Sequence, residues 1–214
     1  MAVVAVKKSS ERRLSSIGVR DSKMLTKERR IKLYSEIQKI CPEILVSKIQ
    51  PEEINEAMSK RISLNELEAV HFAKLIDQLK SVDKVYLDSP DVIQERFGIR
   101  VKELCRRQIY VGSRRSKEYE KAVKVISEHK ADARYPVVSA ASIIAKTIRD
   151  REIKALERKL RFKIGSGYPS DSRTIEVIRK NLRNTTFSEH LRTRWSTMDR
   201  IRQSSLMAFA SAND

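Results

Sequence analysis

Cysteine is nearly missing from this chain: Cys41 and Cys105 are the only two in 214 residues, and neither belongs to a C-x-x-C pair. With no further cysteine and no paired histidine to complete a ligand set, a structural zinc module is excluded. Both thiols are expected to be reduced and packed against apolar neighbours. No apolar run approaches the roughly 20 residues that span a bilayer. The amino terminus also lacks the charged, apolar and small-residue succession of a secretory signal. A soluble, cytoplasmic protein with no membrane partner is therefore expected. Low-complexity tracts and internal repeats are absent, which excludes solenoid architectures. Acidic residues are in deficit: 28 Asp and Glu stand against 45 Lys and Arg, leaving a formal charge of +17. A positive surface gathers phosphates and releases their counterions, so nucleic acid is the leading partner class. A basic ribosome-associated factor remains open on charge alone.

What is present can build a core. With 40% hydrophobic residues over 214 positions, the chain can fold as one domain with an appendage. "MAVVAV" is an apolar, β-branched run suited to a buried strand. "TKERRIKLYSEIQKI" reads as an amphipathic helix capped by Thr26, with Ile31, Leu33, Tyr34, Ile37 and Ile40 on or near one stripe and Pro42 ending it. "EILVSKI" then reads as a strand, and "PEEINEAM" as a helical turn opened by Pro51. "SLNELEAVHFAKLIDQLK" is a helix capped at Ser63, with Glu66 at the capping-box position and His71 packed on its apolar stripe. "DKVYLDSPD" is a strand whose end carries Asp88, because Pro90 forces the chain out of the sheet. "QIYV" and "KVIS" are further strands, and "VVSAASIIAKTIRDREIKALERKL" is a long helix with small residues in its first turns. The basic stretch "SRRSKEYEKAVK" reads as a solvated face. Strands alternating with helices define an α/β layered domain.

Asp88 and Asp132 come from different elements, one at a strand end and one in "HKAD" beside a helix amino terminus. Carboxylates brought together from separate elements repel unless a proton or a cation lies between them, and hard divalent ions accept such oxygen ligands. A basic protein with a small acidic cluster has the electrostatic outline of a metal-dependent phosphodiesterase. Two plainer readings compete: Asp132 as a helix cap and Asp88 as a turn residue before Pro90. For Tyr168 the plainer reading is packing over the "GSG" turn. His129 can assist proton transfer or orient its loop, and Trp195 is expected to anchor a carboxyl-terminal helical segment.

The strings "VRDSKMLTKERR", "SLNELEAVHFA", "VYLDSPDV", "EHKADARYPVVSAASIIAKTIRDR" and "GSGYPSD" occur in order. Together they closely resemble ribonuclease HII, the type 2 ribonuclease H, in its archaeal form, over about residues 1 to 200. The resemblance implies an α/β fold: a ribonuclease H-like mixed sheet flanked by helices over residues 1–178, followed by a helical segment and tail over 179–214. It implies an endonuclease that cuts the RNA strand of RNA/DNA hybrids, or incises at ribonucleotides in duplex DNA, using two Mg²⁺ or Mn²⁺ ions and acting as a monomer. Asp88 and Asp132 match its catalytic metal ligands, and Tyr168 matches the tyrosine stacked on the deoxyribose that follows the ribonucleotide. Asp21, Ser22 and Lys23 match its "DSK" string, whose lysine contacts a phosphate. Lys130, Ser139 and Lys146 fall in the string lining the substrate groove.

One family string is missing. The "DEAGRG"-type strand, whose Asp and Glu complete a four-carboxylate site and whose glycines and arginine read the ribose 2′-OH, has no counterpart here. The abrupt "MAVVAV" start fits a chain that begins at the family's next strand, so impaired cleavage is an expectation. A non-catalytic hybrid-binding protein is the alternative from another class.

Overall fold

The computed structural model describes residues 1–20, 22–112 and 122–210, with side chains through residue 203. Asp21, most of "SRRSKEYEKAVK" and the side chains of "SSLMAFASAND" lie outside the described residues. In chain order the first elements are β1 (Ala2–Ala5), α1 (Glu11–Ser16), α2 (Lys27–Ile40), β2 (Glu43–Val46), α3 (Pro51–Ser59) and α4 (Leu64–Gln78). Then come β3 (Lys84–Asp88), α5 (Gln94–Leu104), β4 (Ile109–Val111), β5 (Val123–Glu128), α6 (Ala131–Arg134) and α7 (Pro136–Leu160). The chain continues with α8 (Ser172–Lys180), α9 (Thr185–Ser188) and α10 (Ser196–Ala210). No described helix is long and apolar enough to cross a membrane.

Two compact units emerge, one of residues 1–48 with 65–148 and one of residues 49–64 with 149–214. The domain boundary expected between residues 178 and 179 falls inside α8. In the first unit β1 and β2 pair antiparallel, whereas β3, β5 and β4 pair parallel in that spatial order. The mixed pattern expected from the sequence is thus carried by two sheets among the described residues.

Each sheet has its own core. Ala2 and Val4 of β1 are buried with Leu14, Leu33, Ile37, Cys41, Ala140, Ile143 and Ile144. Thr26 caps α2 as expected, accepting the Arg29 backbone N–H at 3.2 Å. Ile31 departs from the expected stripe and is 43% exposed. It lies two residues, about 200°, around the helix from Leu33, so the same helix cannot bury both on one side. Beside the parallel sheet, Val85, Leu87, Val123 and Val125 meet Ala69, Ala73 and Ile76 of α4 and Phe97 and Val101 of α5. Glu66 of α4 reaches Arg100 of α5 with N–O distances down to 2.5 Å, besides its expected place in the first turn. His71 is buried as expected, its Nδ1 lying 2.6 Å from the Ser47 hydroxyl.

Both cysteines are free; Cys41 is buried in the first core and Cys105 packs at the edge of the second. Burial pushes the Cys41 thiol up to about 11. Burial, and secondarily the charge of Asp77, pushes Cys105 up to about 12.

In the second unit, Ile164, Ile178, Phe187, Met198 and Ile201 form a core, with Phe162 edge-on to Phe187 at 5.4 Å. Asn55 of α3 donates to the Leu191 carbonyl at 2.9 Å, tying residues 49–64 to the carboxyl-terminal helices. Trp195 is not the buried anchor. It precedes α10, its ring lies under the Arg192 guanidinium at 4.6 Å, and Phe187, Met198 and Ile201 do the burying.

Helix α5 has no counterpart among the expected elements. Its fixing contact is the close approach of Gly98 to β5, where a methyl group at Gly98 would stand 2.8 Å from Ser127 Cβ. Gly98→Ala should therefore lower stability by about 1–3 kcal/mol through overpacking. The measurement is the urea midpoint of the purified variant against the unsubstituted chain.

Candidate active site

Strand β3 alternates outward and inward, burying Val85 and Leu87 and leaving Asp88 exposed at its carboxyl end. The chain then turns away, with the Ser89 backbone N–H donating to the Glu128 carbonyl at 2.9 Å. Asp88 pairs in register with Glu128, the last residue of β5. Beyond β5, Lys130 adopts the left-handed region at φ 55°, an uncommon conformation for a residue with a side chain. That reversal starts α6 and aims backbone donors back at β3. The Ala131 N–H reaches Asp88 Oδ1 at 3.0 Å.

Asp132 lies in the first turn of α6 and is only 7% exposed. It is not the helix cap, since Lys130 occupies that position. The structure does bring Asp88 and Asp132 together. The Asp88 carboxyl is held above its ordinary range, first by partial burial and then by the charge of Asp132. The backbone bonds from Ala131 and Lys130 and the nearby Lys23 ammonium offset part of that rise. Asp88 is open to solvent on one side, yet enough protein surrounds its carboxylate for desolvation to lead.

The expected polar residues divide into two sets. Lys23 lies near Asp88, and Lys130 is exposed at the turn. Ser22 and Ser139 face inward instead, at 0% and 3% exposure. The Ser22 hydroxyl lies 2.8 Å from that of Ser142 and accepts from Lys146 Nζ at 2.8 Å. The Ser139 hydroxyl donates to the Asp132 carbonyl. These groups brace the site from behind: an α7 serine holds α6, and an α7 lysine holds the turn that carries Lys23.

Four further residues escaped sequence reasoning. Tyr86 and Asp88 share a strand face by their spacing of two, and Tyr86 stacks on Tyr135 at 4.1 Å between centroids. The Tyr135 hydroxyl donates to Glu128 at 3.1 Å, and Arg134 pairs with the same carboxylate at 2.6 Å. This cluster clamps α6 onto the sheet from its far end. Glu128 is thereby committed to a structural role although it neighbours Asp88. The signal available in the sequence was the alternation Tyr86, Asp88 with a tyrosine shortly after "HKAD". His129 orients a loop: its Nε2 donates to the Asp91 carbonyl at 2.6 Å, and its backbone N–H donates to Gln94 Oε1 at 3.1 Å.

Tyr168 lies in the second unit, 41% exposed, within a tightly hydrogen-bonded loop. Asp171 caps α8 through the Arg173 N–H and accepts the Ser166 N–H at 2.6 Å. The Thr174 hydroxyl accepts from the Gly167 N–H at 3.0 Å and donates to the Ile164 carbonyl at 3.0 Å. From α7, Arg149 donates to the Ser166 carbonyl at 2.9 Å, and its guanidinium carbon lies 3.6 Å from the centre of the Tyr168 ring.

As a metal centre the pair has suitable chemistry. Both side chains are hard oxygen donors, and a divalent cation would relieve the repulsion between them. Among the described residues no group of three or more His, Cys, Asp or Glu is assembled, so this is a partial ligand set.

Fold and charge together suit a protein that acts on nucleic acid, and similarity to known proteins names the class. The ribonuclease HII sequence profile matches residues 1–198. Ribonuclease HII of Archaeoglobus fulgidus is 40% identical over 210 residues, covering 98% of this chain and 92% of that protein. The crystal structure of ribonuclease H2 from Pyrococcus horikoshii OT3 superposes with a TM-score of 0.78 at 38% identity, covering 95% of this chain and 89% of that one. The PCNA:RNase HII complex from Archaeoglobus fulgidus contains a chain matching with a TM-score of 0.75 at 38% identity, over 94% of this chain and 86% of that one. Bst-RNase HIII in complex with Mn²⁺ shares the fold, with a TM-score of 0.73 at 18% identity, over 95% of this chain and 64% of that one. This chain belongs to the ribonuclease HII family of endonucleolytic ribonucleases H.

The loop around Tyr168 carries a pH signature. Hydrogen bonds, first from the Ser166 backbone and next from its hydroxyl, lower Asp171 to about 2 from an ordinary 3.8. A carboxylate depressed in the folded state stabilises above its unfolded pKa, and that contribution disappears as pH falls through the folded value. The melting-temperature gap between the unsubstituted chain and Asp171→Asn should thus stay constant near neutrality and narrow from about pH 4 towards about pH 2. Thermal melts across that range measure it.

Proposed function

We propose that this chain binds RNA/DNA hybrids and duplex DNA with embedded ribonucleotides, and that Asp88 and Asp132 are its catalytic metal ligands. The observation that carries this reading is the convergence of the two carboxylates at the end of β3, where backbone amides from the Lys130 turn hold one of them. Bound Mg²⁺ or Mn²⁺, two ions in this reading, would supply an activated water and charge stabilisation at the leaving 3′ oxygen. The protein's own share is positioning and electrostatics. The Lys130 turn fixes the Asp88 carboxylate, while Ser139 and the Tyr135–Glu128 contact fix the helix that carries Asp132. Lys23 and Lys130 offer ammonium groups to phosphate oxygens. Lys146 and Ser22 act by holding the Lys23 turn, and Tyr168 offers an aromatic face to the deoxyribose after the ribonucleotide.

The sequence contains no "DEAGRG"-like string, so this reading assigns only two carboxylates to the ions. Weak ion binding and slow cleavage by these 214 residues follow from it. Joining a "DEAGRG"-bearing strand ahead of β1 should raise cleavage of a single-ribonucleotide duplex. In that extended protein, Asp88→Asn or Asp132→Asn should lower the rate by about 10²–10³-fold or more and leave hybrid affinity within a factor of a few. If affinity and cooperative unfolding are lost together, the carboxylates are structural; if the extended protein binds hybrid without cleaving it, the non-catalytic reading wins.

The relative solved with PCNA supports a second contact. Gln203, Leu206 and Phe209 recur at intervals of three near the carboxyl end, and we place recruitment of a sliding clamp by the otherwise monomeric chain there. Removing residues 204–214 should abolish co-elution with a clamp on size exclusion and leave hybrid binding unchanged.

A further inference from the structure

We propose that Arg149 is the positioning residue that fixes the Tyr168 ring, so that the sugar-reading surface is rigid before substrate arrives. This rests on the reading of Tyr168 as a stacking platform. An exposed tyrosine on a loop ordinarily rotates about its first side-chain torsion, and ordering it on binding costs affinity. Here the guanidinium of Arg149, 3.6 Å from the ring centre, is in van der Waals contact with one face. The other face is left for a ligand, consistent with 41% exposure of the residue.

The arginine is itself immobilised from two sides. It donates to the Ser166 carbonyl at 2.9 Å, two residues before the tyrosine. It also passes so close to Gly167 that a methyl group there would stand 3.1 Å from Arg149 Nη2 and 2.8 Å from Ile153 Cδ1. Gly167, at φ 70°, provides the turn and the clearance at once. A helix side chain thus grips the loop backbone and the ring together. Lysine could supply the charge but not the planar group that bonds the carbonyl while covering the ring.

The test compares equilibrium affinity, in EDTA so that no cleavage intervenes, for two duplexes: one with an RNA-to-DNA junction and one with an all-RNA strand. A platform that packs on deoxyribose favours the first. Tyr168→Ala should erase the preference. Arg149→Ala and Arg149→Met should reduce it about two- to five-fold, the size of a partly exposed cation–π contact. Arg149→Lys should reduce it equally while leaving the salt dependence of binding to plain duplex DNA unchanged. Melting curves of each variant identify any that fail to fold. A preference that survives all three Arg149 variants but not Tyr168→Ala overturns the role of Arg149, as does full rescue by lysine. A preference absent from the unsubstituted chain, or surviving Tyr168→Ala, overturns the platform reading instead.

Discussion

Two negative charges held side by side are the constraint around which the first unit is arranged. Asp88 and Asp132 repel, and the parallel pairing of β3 with β5 keeps them from separating. Their register fixes where Asp88 ends, and the left-handed turn at Lys130 fixes where α6 begins. The cost is met locally. Backbone N–H groups point at Asp88, Lys23 lies near it, and the tyrosine pair with Glu128 and Arg134 clamps the short helix down. Over the whole chain Lys and Arg outnumber Asp and Glu 45 to 28, a balance suited to a polyanionic partner.

The long helix α7 carries the bracing. Its first turns are rich in small residues, and the structure gives that composition a purpose: Ser139 reaches the Asp132 carbonyl, Ser142 meets Ser22, and Ala140 is fully buried. Further along the same helix Lys146 holds the Lys23 turn, and Arg149 holds the Tyr168 loop. In each case a helix side chain, not a residue of the loop itself, holds the loop.

Much of this was legible in the sequence. Pro90 after a β-branched run placed Asp88 at a strand end, Thr26 and Pro51 marked helix starts, and the family strings singled out Asp132 and Tyr168. The unreadable parts have physical reasons. Helix α5 carries a glycine near its middle, which weakens the local helix signal of Phe97, Val101 and Leu104, and the reason for that glycine, its close approach to Ser127, is visible only in the fold. Ser22 and Ser139 were expected at the substrate groove because they fall in the family strings, but a hydroxyl satisfies a buried backbone or side-chain partner equally well. Choosing between them required the fold. Tyr135 lies next to "HKAD" in sequence, yet its stacking on Tyr86 joins elements far apart in the chain.

The two thiols give the molecule a further property. Burial pushes the two thiols up to about 11 and about 12, so at neutral pH both are overwhelmingly protonated. Thiolates are what soft metals and disulfide exchange require. Protonated, and buried or half-buried, the two thiols therefore offer little foothold to thiophilic ions or oxidative cross-linking.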